Sequence, residues 1–362
     1  MELEAQGRSK SGLTNTLASY LPSVVTRRIA SNPTAISEPS SESLSAALLF
    51  TDISSFSSLA ERFALRGPSG TEELTNLLND YFGRLISIAS DNGGDVIKFA
   101  GDAMYALWSD PDEDLAVSTL RASQCAIAIQ QALDGYIEPG GERLSMRIGV
   151  GAGNVTTIYV GGMYERWEFL LTGAPLEQMS SAEDQAKPGQ IVLSPDAWSL
   201  VGEKSVGIPF PTGYVLLQHI YEAPSPKPIN RIIPPPEWDS ALLAYIPAAI
   251  RSRLGAGQTE WLAELRCVTV LVINVKGIDF EAPDALDRTQ SFMYTMQRAL
   301  YRYEGSVNKL LVDDKGTNLL VAFGLPPLAH EDDAVRGVMT AIEMQDRLNE
   351  LRLEPKLSDS CR

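Results

Sequence analysis

Residues 48–63 read LLFTDISSFSSLAERF, and residues 93–108 read GGDVIKFAGDAMYALW. In the first stretch an apolar run over 46–51 carries Asp52 to the end of a predicted strand (46–52), and Ser54, Ser55 and Phe56 then open a helix over 56–64. In the second, two alternating runs, 95–100 and 103–108, flank Gly101-Asp102, a turn signal that predicts a hairpin with Asp102 at its tip. If that hairpin lies beside the first strand, two carboxylates meet at one sheet edge. Convergent carboxylates next to the backbone N–H groups of a helix start suit a divalent cation carrying a triphosphate. Taken singly, each acid has a plainer reading: Asp52 as a helix cap, Asp102 as a turn residue. Their pairing is what points to nucleotide chemistry.

The regular pattern continues outward from this core. Helices are predicted over 71–91, 113–134 and 175–186, and strands over 143–151, 154–161, near 166–172, over 190–193 and near 214–221. A strand, two helices, a hairpin, then a helix and further strands make an α+β sandwich pattern. Ahead of it, residues 1–12 read as disordered, 16–29 as a short amphipathic segment, and the Ser/Pro stretch to 43 as loose chain. Residues 223–237, APSPKPINRIIPPPE, are too Pro-rich for a helix interior or a central strand and read as a linker.

The chain after the linker repeats the chain before it. Tyr245-Ile246-Pro247 echoes Tyr20-Leu21-Pro22, with Arg253 and Arg28 each eight positions after the tyrosine. The apolar run 267–275 echoes the first strand, with Asn274 where Asp52 stood; Gly305 to Lys309 echoes Gly94 to Lys98; the acidic run at 331–335 echoes 112–117. The chain contains an internal duplication. The second copy is expected to be shorter, ending about ninety residues sooner.

These motifs together, FTDISSF, GGDVIKFAGDAMYALW, MRIGVGAG (146–153), QTEWLAELRCVTVLVIN (258–274) and SVNKLLVDDKG (306–316), resemble the class III nucleotidyl cyclases, specifically tandem soluble adenylyl cyclases of the bicarbonate-responsive type. The resemblance implies two ferredoxin-like, palm-type α+β domains in tandem, the second incomplete. The expected division is an N-terminal segment 1–43, a first cyclase domain 44–222, a Pro-rich linker 223–242, and the front half of a second domain over 243–362.

By the same resemblance the chain forms 3′,5′-cyclic AMP and pyrophosphate from ATP, with two divalent metal ions, Mg²⁺ or Mn²⁺, where two cyclase domains pair within the chain or by dimerisation. The metal role falls on Asp52, Asp102 and the carbonyl of Ile53. A phosphate role falls on the N–H groups around Ser54, Ser55 and Phe56 and on Arg147. Lys309 matches the lysine that reads adenine, and Asn274 a second domain that holds no metal. Lys98 matches a regulatory lysine, whereas Ser180 stands where the bicarbonate-responsive relatives have an arginine. The helix GAPLEQMSSAEDQA (173–186) has neither the Asn nor the Arg that holds the ribose in the family. The alternatives are therefore a catalytically incomplete chain that binds nucleotide or a partner, and a guanylyl cyclase. A diguanylate-type enzyme is disfavoured, because the Gly-Gly-Asp at 93–95 precedes the hairpin instead of forming its tip.

Composition narrows the partners. A net charge of −16 argues against nucleic acid and against adhesion to anionic lipid, both of which need basic surface. Three scattered cysteines, Cys125, Cys267 and Cys361, give neither a disulfide framework nor a zinc site and fit a reducing cytoplasm. No apolar run approaches the roughly 18 residues of a membrane span. His219 and His330 are isolated, and Cys125 sits on an apolar helix face that reads as core.

Overall fold

The computed structural model describes residues 13–54, 56–137, 143–255, 268–313, 316–351 and 354–357. The elements, in chain order, are α1 (Ser23–Ser31), β1 (Ser40–Ile53), α2 (Phe56–Ala64), α3 (Pro68–Asp91), β2 (Asp95–Ala100), β3 (Ala103–Trp108) and α4 (Leu115–Leu133). The short pair β4 (Tyr136–Ile137) and β5 (Arg143–Leu144) comes next, then β6 (Met146–Gly161), β7 (Trp167–Thr172), α5 (Ala174–Gln185), β8 (Ile191–Leu193), α6 (Pro195–Val201), β9 (Ser205–Pro209) and β10 (Val215–Ile220). Beyond them lie α7 (Asp239–Leu243), α8 (Ala248–Gly255), β11 (Thr269–Lys276), α9 (Ala285–Arg302), β12 (Ser306–Asp313), β13 (Gly316–Phe323), α10 (Asp333–Glu350) and β14 (Glu354–Leu357). The fold is α+β. No helix among the described residues is long and apolar enough to cross a membrane.

The chain divides into two compact units, each discontinuous in sequence. The first comprises Leu44–Val155 and Ala174–Arg231; the second gathers residues before Leu44, Thr156–Gly173 and the chain from Ile232 onward. The strand order β2-β3-β1-β6-β8-β10-β9 organises the larger sheet, with β7 paired to β6. β1 runs antiparallel to β3 with Thr51 opposite Met104, and β6 runs parallel to β8 with Ile148 opposite Ile191. The first core buries Leu49, Ile53, Phe63, Tyr81, Trp108, Cys125, Ile129 and Ile148. Each such side chain contributes about 1.5–3 kcal/mol of transfer free energy. The second core gathers Ile158, Leu170, Phe292, Met296, Leu319, Phe323 and Met344, behind the four strands β12-β13-β11-β14.

Several elements differ from the sequence reading. The strands expected at 143–151 and 154–161 are one strand, β6, of 16 residues, preceded by the short β5. Its glycines do not break it, because they make room for α5: a Cβ at Gly149 would stand 2.0 Å from the Met179 carbonyl, and one at Gly151 2.4 Å from that of Pro175. β1 begins at Ser40, inside the stretch expected to be loose. α3 begins at Pro68, since proline at the first helical position has no N–H to leave unpaired. The Pro-rich segment is also more ordered than a free linker. Ile229 donates to the Ser90 carbonyl, Lys227 pairs with Asp110 and Glu113, and Trp238 and Leu242 are buried where 236–243 turns helical.

The two segments paired in the sequence reading have similar local registers. Lys98 faces Tyr105 and Lys309 faces Leu320, each immediately after a bulge in its strand. Gly94 and Gly305 are both close-packed on the ring that ends the second strand of their hairpin: a Cβ would lie 2.5 Å from Trp108 in one copy and 2.6 Å from Phe323 in the other. The preceding residue is left-handed in both, Gly93 at φ +85° and Glu304 at φ +60°.

Candidate active site

Asp52 comes one residue before the end of β1, and Asp102 occupies the turn joining β2 to β3. Gly101, at φ +68°, supplies the left-handed residue that the turn requires. With Thr51 opposite Met104, the next steps of the register carry Asp52 and Ile53 alongside Ala103 and Asp102. The two carboxyl groups are close enough for each to feel the other's charge. Burial, then the Asp52 charge, push the Asp102 carboxyl up to about 6.

Arg147, on β6, closes the other side of Asp52. Its Nη2 donates to Asp52 Oδ2 at 2.9 Å and stands 2.8 Å from Glu183 Oε1. Burial opposes the guanidinium charge, and the contacts with Asp52 and Glu183 more than offset it, so Arg147 is held more firmly protonated than usual. Glu183 lies on α5 with 5% of its side chain exposed. Burial lifts its carboxyl up to about 7; Arg147 opposes the shift, and Asp52, Asp184 and Asp102 add to it. Its Oε1 is in ion-pair range of Arg147 yet lacks a well-formed hydrogen bond. The glycines of β6 explain the proximity, since the α5 backbone could not approach a side chain at 149 or 151.

The site is thus one guanidinium among three carboxylates, two of which hold their protons unusually tightly. An excess of negative charge in a half-buried place is relieved by a cation. Among the described residues no group of three or more His, Cys, Asp or Glu is placed to hold a metal ion. The donors present are therefore the Asp52 and Asp102 carboxylates, with the Ile53 carbonyl beside them. That sparse set suits a Mg²⁺-like ion, which retains waters and takes further oxygens from a phosphate chain.

The remaining sequence candidates are more scattered. The Ser54 N–H is bonded to the Ser145 carbonyl at 2.9 Å, so it is not a free phosphate donor. The Ser54 Oγ, by contrast, is buried with no hydrogen-bond partner among the described residues. Ser55 lies outside the described residues, and Phe56 begins α2. Lys98 lies on β2 and Ser180 on α5, both partly buried. Lys309, on β12, belongs to the second unit, where burial lowers its pKa. Part of the run 258–274, and Cys267 and Cys361, fall outside the described residues.

In the second copy the matched register puts Asn274 where Asp52 stands and Thr317 where Asp102 stands. Asn274 Nδ2 donates to Asn318 Oδ1 at 2.8 Å. The acid pair gives way to neutral groups, with Asn274 bonded to a second amide. Glu183 was missed in the sequence. An acid within a run such as AEDQ reads as solvated helix face, and only the approach of α5 to β6 places it under Arg147.

Residues 39–208 match the Adenylate and Guanylate cyclase catalytic domain family. Adenylate cyclase type 10 of Homo sapiens is 25% identical over 330 residues, covering 83% of this chain and 20% of that one. Adenylate cyclase 1 of Rhizobium meliloti (strain 1021) is 28% identical over 154 residues, covering 41% of this chain and 22% of that one. This chain spans about a fifth of the length of the curated relatives it matches. Similar solved structures include the adenylyl cyclase CyaB from P. aeruginosa, with a TM-score of 0.41, 22% identity, and coverage of 52% of this chain and 99% of that one. The monomeric guanylyl cyclase domain of the RhoGC fusion protein from Blastocladiella emersonii has a TM-score of 0.41, 23% identity, and coverage of 50% and 98%.

Proposed function

We propose that this chain cyclises ATP to 3′,5′-cyclic AMP and pyrophosphate at the Asp52–Asp102 site, a reading supported by the match of residues 39–208 to the adenylate and guanylate cyclase catalytic domain family. The observation that carries the reading is the pair of adjoining carboxylates, with Asp102 pushed up to about 6, beside an arginine. Asp52, Asp102 and the Ile53 carbonyl would hold Mg²⁺ or Mn²⁺, two ions in the full site. Bound there, the ions supply charge neutralisation of the phosphate chain and acidify the attacking 3′-hydroxyl. Arg147, hydrogen-bonded to Asp52, is the cation we assign to the phosphate oxygens. Ser54 Oγ, buried without a partner among the described residues, is a further donor in the same turn. Positioning and electrostatics of this kind carry most of the rate in phosphoryl transfer.

ATP is favoured over GTP through Lys309, whose assignment to the base rests on the resemblance to adenylyl cyclases. Lys98 is the proposed regulatory lysine. A second reading, a chain that binds nucleotide without turnover, is favoured by two observations. Among the described residues the second copy carries Asn274 and Thr317 in place of the acid pair, and α5 has neither the Asn nor the Arg that the resemblance assigns to the ribose.

Formation of cyclic AMP and cyclic GMP from the respective triphosphates with Mn²⁺, beside an Asp52→Ala control, tests the proposal. Turnover of ATP that Asp52→Ala abolishes supports the cyclase reading. Metal-dependent nucleotide binding without turnover supports the second reading, and neither binding nor turnover would sink both.

A further inference from the structure

The second unit contains a cavity of about 220 Å³ that the cyclase chemistry does not use. Its walls are α8, the end of α9, the start of β12 and the loop after β13. Pro247, Val307, Ala322 and Leu325 make it mostly apolar. A dry cavity of about 150 Å³ with aliphatic walls takes up benzene, so this volume accommodates one ring and a small substituent.

Its charged groups are unequally satisfied. Arg166 is closed off, with Nη2 on Glu168 at 2.9 Å and Nη1 on the Trp167 and Ala244 carbonyls at 2.7 and 3.2 Å. Glu304 is engaged by Arg336 at 2.6 Å and His330 at 2.8 Å. Arg251 is different. Among the described residues its one hydrogen bond is from Nε to the Ile246 carbonyl at 2.8 Å, which leaves both terminal nitrogens without a partner there. Burial, then the Arg166 charge, pull its pKa down, whereas Glu165 supports it only through space. Burial holds the Tyr301 phenol well above its usual value, so it remains a hydroxyl donor on the same wall.

We propose that this cavity binds a monocyclic aromatic carboxylate, its ring against Pro247, Val307 and Ala322 and its carboxylate on the free fork of Arg251. Arg251 is half-buried on the cavity wall, and its two parallel N–H donors match a carboxylate bidentately. The pairing of one charge with a ring-sized apolar volume selects this class over a bare inorganic anion, which would leave the apolar walls unfilled. The inference does not depend on the cyclase reading.

Benzoate is the probe, titrated into the full chain by calorimetry with benzyl alcohol as the neutral isostere. Saturable binding is expected with a Kd on the order of 1 mM or below, as suits so small a ligand. Arg251→Gln should weaken it about tenfold or more, Arg251→Lys less, and Ala322→Leu should block it by filling the cavity. Arg251 is only partly buried, so its variants keep the test decidable if Ala322→Leu does not fold. Equal affinity for benzyl alcohol, an unchanged Kd in Arg251→Gln, or no saturation by about 10 mM would overturn the proposal.

Discussion

Arg147 and Asp52 are joined by a hydrogen bond of 2.9 Å from Nη2 to Oδ2, and the same nitrogen stands 2.8 Å from Glu183. One guanidinium nitrogen therefore serves two carboxylates, while Asp102 adjoins Asp52 with no cation of its own among the described residues. The folded chain keeps this arrangement at the cost of like-charge repulsion, as functional sites commonly do.

The repulsion has a pH signature. Asp102 has a folded pKa of about 6 against 3.8 for the free group, so the folded state binds the proton more tightly. Its favourable contribution is full below about pH 4 and is lost as the pH rises through about 6. Asp102→Asn should therefore melt higher than the native protein at pH 8, by up to a few degrees, and the two should converge near pH 4. Mn²⁺ should raise the melting temperature of the native protein and not that of the variant. A native melting curve indifferent to Mn²⁺ at pH 8 would count against the metal role.

Glu183 is the buried anchor of Arg147. Glu183→Ala leaves a gap and takes one partner from a guanidinium that retains Asp52, and should cost about 1–3 kcal/mol by urea unfolding. Glu183→Gln preserves the shape and should cost less. If the glutamine variant folds like the native protein yet loses nucleotide affinity, Glu183 acts by positioning Arg147; unchanged affinity would reduce it to a packing residue.

The glycines of β6 should be intolerant in proportion to what they face. Gly149→Ala, aimed at the Met179 carbonyl at 2.0 Å, should cost about 3 kcal/mol or more, because backbone on both sides must move. Gly83→Ala, on the exposed face of α3 with nothing within 4 Å, should stabilise by about 0.5–1 kcal/mol. Paired chemical denaturation of these variants would expose an error in the β6–α5 packing if the order were reversed.

The neutral copy offers the converse experiment. Asn274→Asp with Thr317→Asp should recreate the acid pair, lower the melting temperature at pH 8, and recover it on adding Mn²⁺. Loss of stability without metal rescue would mean that the matched register does not bring the two side chains together.

Much of this was legible in the chain itself. Alternating apolar residues and the Gly101-Asp102 turn delimited β2 and β3, and the β1 run delivered Asp52, because these signals are local and a strand pair has few other ways to bury its face. The likeness of the two hairpins was likewise readable, since each keeps its glycine before the hairpin and its lysine after the bulge. Tertiary structure decided the rest. Whether the glycines of 149–153 interrupt a strand or admit a helix depends on α5 arriving from more than 20 residues away. The assignment of Thr156–Gly173 to the second unit reflects packing against distant segments, which no local pattern encodes. The capture of the Ser54 N–H by Ser145, and the meeting of Glu183 with Arg147, depend on contacts across 91 and 36 residues, respectively. Periodicity fixes which face of an element is apolar; which distant charge is then buried beside it is settled only when the faces close.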